Sequence, residues 1–284
     1  MSAQVCLAVA QFSSAIGKHA ENIDAVERLA TKAANDAAQF VLFPEDCLTG
    51  YPAAANSAFD VALNASDERF DKLLKLAKQS SIILAAGFIE RNGEHCQSAH
   101  YIARPDGTHT IVRKYSVDER DQRIGITPAA PQNDGLTIAG VKTAMAICMD
   151  GTDAFFESAH RNGAKIILHP SGGACMKSAH ASDVDADKID AREREGCNKC
   201  VEAARERAKK LSAVYLVSNP VGFDGERGYP GNSFIISADG QVLVHLAGTA
   251  IIENMKEAVA VAKVVMRHAA AERSGTPRSA AAGS

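Results

Sequence analysis

The sequence predicts an α/β fold of two mixed sheets covered by helices, and three observations carry that expectation. The apolar pattern switches repeatedly between a strand period and a helix period. Two turn signals, Pro105-Asp106-Gly107 and Ala238-Asp239-Gly240, each sit between two short strand-like runs. The second half of the chain also repeats the grammar of the first, a weak internal echo that predicts two similar halves.

Taken in order, residues 5–10 read as a strand, and Ile23, Val26, Leu29, Ala30 and Ala33 fall on one stripe of a helix. Residues 40–43 form a short buried strand, Phe70, Leu73, Leu74 and Ala77 mark a second helix stripe, and residues 82–89 are a further strand. The first hairpin joins 99–103 to 108–112. In the second half, 143–148 is a strand, 153–162 a helix and 165–169 a strand. The charged, alanine-containing stretch 183–211 favours helix, with a break expected at Gly196. Residues 214–218 return to strand, and the second hairpin joins 233–237 to 241–246. No Pro-, Gly- or Ser-rich linker separates the halves, so a single domain spanning 1–268 is expected. Residues 269–284, ending in the low-complexity 274–284, read as a flexible tail without chemistry.

Composition narrows the function. The 284 residues are 46% hydrophobic and 23% charged, an ordinary globular balance. A net charge of -3 and 5% aromatic residues offer neither a basic footprint nor a stacking platform for nucleic acid, which leaves small molecules as the expected partners. Seven cysteines, an odd number scattered over a chain too long to need stapling, read as reduced thiols. The apolar run 5–12 has no preceding basic residue, and no apolar stretch is long enough for a membrane helix. A cytoplasmic location away from membranes is the expectation.

Three residue types at three strand ends carry the chemistry. Glu45 closes the run Val41-Leu42-Phe43-Pro44, a carboxylate delivered where α/β proteins host ligands, with Pro44 ending the ladder just before it. Cys148 ends the strand Ala144-Met145-Ala146-Ile147 and precedes turn and capping residues. A helix N-terminus facing the thiol would favour thiolate and could supply an oxyanion site. Lys114 follows Thr110-Ile111-Val112-Arg113. Each alone has an ordinary reading, as a solvated acid, a packed thiol and a surface charge. Together they make a set: a thiol attacking an amide needs a carboxylate to move protons and a cation to balance the oxyanion.

At these residues the sequence resembles the nitrilase superfamily, the carbon–nitrogen hydrolases. The resemblance runs through Ala8-Val9-Ala10-Gln11 with Asn22, Phe43-Pro44-Glu45 with Gly50-Tyr51, and Arg113-Lys114-Tyr115. It continues through Ile147-Cys148-Met149-Asp150, Phe156-Glu157, Gly163-Ala164 and Arg205-Glu206-Arg207-Ala208. Val217-Ser218-Asn219 and the stretch from Gly231-Asn232-Ser233 to Asp239-Gly240 complete it. The resemblance implies a four-layer α-β-β-α sandwich, a homodimer or higher homo-oligomer, and no metal or organic cofactor. It implies Glu45, Lys114 and Cys148 as the catalytic set, with the Met149 backbone N–H as an oxyanion donor. The substrate it implies is a small amide or N-carbamoyl compound. True nitrilases tend to carry Trp-Glu after the cysteine, whereas Met149-Asp150 is similar to the amidase and carbamoylase branches. Many members carry a second glutamate after the lysine, and here Glu119 and Gln122 stand near that place. Tyr51, Asp150 and Gly173 complete the expected substrate contacts.

Other signals point elsewhere. Cys197-Asn198-Lys199-Cys200 lacks the second pair a zinc site needs, and at helical spacing its cysteines are neighbours on one face. His160, His169 and His180 invite a cysteine–histidine hydrolase with Cys148 or Cys175 as nucleophile. Ser171-Gly172-Gly173 lacks the Lys and Ser or Thr of a phosphate loop and reads as a pocket loop. Lys114-Tyr115-Ser116-Val117 lacks the His-Leu pair common after that lysine, which motivates a catalytically impaired binding or assembly subunit as an alternative. Nitrile hydrolysis is the other alternative.

Overall fold

The computed structural model of the chain describes residues 3–52, 57–131, 135–173, 176–177, 186–223, 227–249 and 254–266. In chain order the first half comprises β1 (Ala3–Gln11), α1 (His19–Asn35), β2 (Phe40–Leu42), α2 (Ala58–Val61), α3 (Arg69–Ser80), β3 (Ile83–Asn92), β4 (His95–Ala103), β5 (His109–Arg113) and α4 (Glu119–Arg123). The second comprises β6 (Thr137–Ile138), β7 (Val141–Met145), a 3₁₀ turn (Cys148–Asp150), α5 (Asp153–Arg161), β8 (Ile166–Pro170), β9 (Met176–Lys177), α6 (Ala186–Leu211) and β10 (Val214–Ser218). It ends with β11 (Val221–Phe223), β12 (Arg227–Pro230), β13 (Ser233–Ile236), β14 (Val242–Leu246) and β15 (Ala258–Met266).

Two six-stranded sheets run β15-β1-β2-β3-β4-β5 and β14-β13-β10-β8-β7-β6, and β11-β12-β9 form a small third sheet. The internal echo in the sequence is real at the level of topology. In the first sheet β1, β2 and β3 are parallel and β4 and β5 then alternate. In the second, β7, β8 and β10 are parallel before β13 and β14 alternate. Each parallel series gains an antiparallel strand on its other side, β15 against β1 and β6 against β7.

Strand periodicity sorts the core into layers, because successive side chains point to opposite faces. Leu7, Val9, Phe40 and Leu42 of the first sheet pack against Ile166, Leu168, Val214 and Leu216 of the second. Their neighbours Ala8, Ala10, Val41 and Phe43 face the other way and pack against Ile23, Val26, Leu29 and Ala30 of α1 and Phe70 and Leu73 of α3. Ile167, Tyr215 and Val217 likewise meet Phe156 of α5 and Ala204 and Ala208 of α6. The result is the four-layer α-β-β-α sandwich. Alanines on the inner stripes of α1 and α6 let both helices lie close to their sheets.

Several details differ from the sequence reading. The helix expected to break at Gly196 runs unbroken as α6, since packing against the second sheet outweighs the roughly 1 kcal/mol that glycine costs in a helix. The hairpin between β3 and β4 extends to Asn92 and turns through Gly93-Glu94, with Gly93 at a φ of 64° that glycine adopts without steric cost. β15 pairs with the whole of β1, a strand the sequence reading did not contain. The expected tail at 269–284, Cys175 and His180 lie outside the described residues. The other six cysteines are free thiols. Among the described residues no helix is long and apolar enough to cross a membrane.

Candidate active site

Parallel strand order brings the C-terminal ends of β2, β5, β7, β8 and β10 to one side of the sandwich, and the site forms there. Each of its principal side chains is held by backbone that has nowhere else to go.

Glu45 is presented by the turn after β2. Phe43 N–H donates to Ala85 O of β3, and Asp46 sits in the left-handed region at φ 50°. The turn lies against β3 at Gly87, where a Cβ would run into the backbone of Pro44 and Asp46; only glycine lets this loop approach so closely. Asp46 accepts a 2.6 Å bond from Ser98 Oγ. Burial and the adjacent Glu45 charge hold Asp46 well above the usual carboxylate range.

Lys114 follows β5, its N–H donating to Ser98 O and its carbonyl accepting from Ala129 N. Its Nζ donates to Glu45 Oε1 at 2.9 Å and to Asp121 Oδ2 at 2.8 Å. Burial alone would lower its pKa, but the charges of Glu45 and Asp121 outweigh it and hold the ammonium above its ordinary value. The second acid contact therefore comes from Asp121, which the sequence reading passed over between two flagged neighbours. Asp118 caps α4 by accepting from the N–H groups of Arg120 and Asp121, and this short helix turns position 121 inward. Tyr51 O–H donates to Asp121 Oδ1 at 2.9 Å, so both oxygens of the carboxylate are engaged. Glu119 and Gln122, on the same helix, are exposed and do not line the cavity.

Cys148 stands at the start of the 3₁₀ turn with φ 46°, an uncommon conformation for a residue with a Cβ. The helix N-terminus expected to face the thiol belongs instead to this single turn, since α5 begins only at Asp153. The thiol is not pre-ionised. Burial and the Glu45 charge push it up to about 12, outweighing the opposite pull of Lys114, Ser171 and the Gly172 N–H. Ser171 Oγ lies 3.6 Å from the sulfur. Gly172 passes so close to the base that a Cβ there would come within 3.0 Å of Glu45 Oε2.

Asp150, expected to touch substrate, does something else. Its Oδ1 accepts from the N–H groups of Tyr115 and Ser116 at 3.1 and 2.7 Å, its Oδ2 from Ile147 N–H at 3.3 Å, and its carbonyl from Tyr115 O–H. It stitches the lysine segment to the cysteine turn and is not among the residues that line the cavity. His169, considered as a possible base, does not face the thiol: its Nε2 is 2.9 Å from the Cys148 carbonyl oxygen.

Glu45, Lys114, Asp121 and Cys148 line one cavity of about 170 Å³, together with Tyr51, Met149 and Gly173 from the sequence reading. That is little more than the roughly 150 Å³ that accommodates benzene, so only a small molecule fits. The sequence reading missed Arg120, Tyr229 and Phe223 on the same wall. The Arg120 guanidinium lies 5.3 Å from the Tyr51 ring centre, and against the effect of burial Tyr51 and the Asp118 charge beside it raise its pKa. Among the described residues no group of three or more His, Cys, Asp or Glu side chains could hold a metal ion.

This sandwich, with its strand order and its acid, ammonium and thiol at the strand ends, places the chain in the nitrilase superfamily. More narrowly, the chain belongs to the carbon–nitrogen hydrolase family, whose sequence profile matches residues 6–264. It is 25% identical over 278 residues to a glutamine-dependent NAD(+) synthetase of Xanthomonas campestris pv. campestris (strain 8004), a match covering 95% of this chain and 45% of that protein. It is 30% identical over 199 residues to a citrullinase of Francisella tularensis subsp. tularensis (strain SCHU S4 / Schu 4), covering 65% of this chain and 66% of that protein. The chain thus spans about half the length of the first relative and two thirds of the second. Among solved structures, a cysteine-to-alanine mutant of the Nesterenkonia AN1 amidase superposes with a TM-score of 0.71 at 18% identity, covering 91% of this chain and 90% of that one. A glutamate-to-glutamine mutant of that amidase, carrying the acetamide moiety of fluoroacetamide on its active site cysteine, superposes at 0.72 with 19% identity over 92% and 90%. At that identity the likeness is one of fold.

Proposed function

We propose that the chain is a thiol amidohydrolase that cleaves a small linear amide or N-carbamoyl compound through a thioester on Cys148. The observation that carries this reading is the buried Glu45–Lys114–Asp121 arrangement on the wall of the same small cavity as a neutral thiol. A thiol held at about 12 needs a base at the moment of attack, and Glu45 is the carboxylate whose charge the thiol feels most.

In this reading Glu45 takes the Cys148 proton as sulfur attacks the carbonyl carbon. Lys114 and the Met149 N–H stabilise the tetrahedral oxyanion. The C–N bond breaks, Glu45 returns the proton to nitrogen, and ammonia or an amine leaves. Glu45 then draws a proton from water, which attacks the thioester, and the acid departs as sulfur recovers its proton. Lys114, paired with two carboxylates, stays charged throughout. Asp121 holds the same ammonium as Glu45, at 2.8 Å.

Arg120 gives the reading a substrate preference. Arg120, on the cavity wall beside Tyr51 and Asp118, is a cation that suits a substrate with an acidic group beyond its amide. The relatives' names mention glutamine and citrulline, molecules that join a terminal C–N group to an amino-acid end. The test is ammonia release from a panel of small amides, ureido acids and matching nitriles by the wild type and by Cys148→Ala. The expected result is turnover of amides or ureido acids by the wild type alone; undiminished turnover in the variant would eliminate the nucleophile.

A further inference from the structure

A buried histidine outside the catalytic set touches the nucleophile's own backbone. His169 ends β8 with Nε2 at 2.9 Å from Cys148 O and Nδ1 at 2.6 Å from Tyr215 Oη. A carbonyl only accepts, so the ring carries its proton on Nε2; in the neutral imidazole Nδ1 is then an acceptor and Tyr215 O–H donates to it. Burial favours the neutral ring, with the pKa lowered to about 4, and pushes Tyr215 up to about 12 so that it keeps its proton. The ring is wedged in place. Phe156 and Tyr215 meet it edge-on with centroids 6.1 and 5.8 Å away. Arg207 covers Phe156 at 4.3 Å and Tyr215 at 5.9 Å. On the nucleophile side, a Cβ at Gly151 would come within 2.7 Å of the ring, so the turn after Cys148 must carry glycine for the histidine to reach it.

The Cys148 carbonyl also accepts from Gly151 N–H at 3.1 Å, so two donors hold it at a residue whose φ is 46°. That carbonyl and the Met149 N–H belong to one planar trans peptide, in which oxygen and hydrogen point to opposite sides. Fixing one therefore aims the other. We infer that His169 is a positioning residue of the reaction, and that its bond to the Cys148 carbonyl orients the Met149 N–H toward the developing oxyanion, with Tyr215 selecting the imidazole tautomer that can make that bond. The inference rests on the thiol amidohydrolase reading and extends the machinery to a group that never meets the substrate.

The test compares His169→Leu, which deletes the donor, with His169→Gln, whose amide N–H can reach the place of Nε2, and with Tyr215→Phe. Misaiming an oxyanion donor lowers kcat by about 100-fold in His169→Leu, with KM within threefold of the wild type. His169→Gln recovers about tenfold of that loss, and Tyr215→Phe lowers kcat several-fold. Nitrogen-15 spectra of the wild-type histidines show His169 protonated on Nε2 and bare on Nδ1 between pH 5 and 8. A His169→Leu enzyme with kcat within twofold of wild type, a loss expressed in KM alone, or a ring protonated on Nδ1 overturns the inference. If His169→Leu does not fold, Tyr215→Phe and the wild-type tautomer decide it. A wild type that turns over no amide overturns the hydrolase reading instead, and the spectra still settle the hydrogen bond.

Discussion

Asp121 and Lys114, seven positions apart in the chain, are joined by a 2.8 Å ion pair in which neither side chain is more than 4% exposed. Such a pair is costly to break from one side, by about 3 to 5 kcal/mol, because the other charge stays buried. Asp121→Ala is expected to lower unfolding free energy by about 3 kcal/mol in denaturant titration. Asp121→Asn, which keeps the shape and removes the charge, is expected to reduce kcat by about 10- to 100-fold by letting Lys114 shift. Glu119→Gln and Gln122→Ala, at exposed positions of the same helix, should stay within about 0.5 kcal/mol and twofold of the wild type. Equal losses at all three positions would show that the helix, and not the ion pair, matters.

Gly172 tests the base from the other side. The added methyl of Gly172→Ala meets Glu45 Oε2 at 3.0 Å, so either the carboxylate or the loop must give way. Because Glu45 is also tied to Lys114, the expected outcome is a drop in kcat of about tenfold or more with a stability change below about 2 kcal/mol. Unchanged kcat would mean that Oε2 is not the oxygen that handles the proton.

Two groups tie stability to pH. His169 is held near 4 against an ordinary value of 6.5. In that window the unfolded chain binds a proton that the folded one refuses, so this contribution is full above about pH 6.5 and is lost as pH falls toward 4. The loss is about 3 kcal/mol. Asp150, raised to about 6 by burial, works in the opposite direction over part of the same range, so the histidine is isolated by comparing wild type with His169→Gln. Cys148 behaves the other way at high pH. Its raised pKa leaves its contribution intact below about 9 and loses it as pH climbs from 9 toward 12. Cys148→Ala should therefore gain on the wild type across that upper window. A wild-type-minus-variant difference that is flat in either window contradicts the corresponding environment.

Arg120→Met removes a cavity cation without removing its bulk. The expected result is a 10- to 100-fold rise in KM for amides that carry a carboxylate, with neutral amides of the same length changed less than threefold. Parallel losses for both substrates would reduce Arg120 to a structural role beside Tyr51.

Much of this was legible in the sequence because strand ends are legible. Glu45, Lys114 and Cys148 each follow an apolar run that stops at a turn, and β2, β5 and β7 deliver all three to one side. Asp121 was not legible, because its inward direction depends on α4 being one capped turn and not on any spacing from Lys114. His169 was noticed as a possible base, but its partner is a backbone carbonyl, which no residue pattern reveals. The edge strand β15 alternates alanine and valine from 258 to 262, a half-buried pattern that carries little contrast by itself. The sequence places Asp150 beside the nucleophile, while its three backbone partners are brought together only by the fold.

The measurement that tests the account most directly is peptide mapping by mass spectrometry of enzyme quenched during turnover of a small amide. The account predicts a mass increase equal to the acyl group on the peptide containing Cys148 of the wild type, absent in Cys148→Ala. An acyl group on any other cysteine, or full turnover with no adduct in either enzyme, would contradict it.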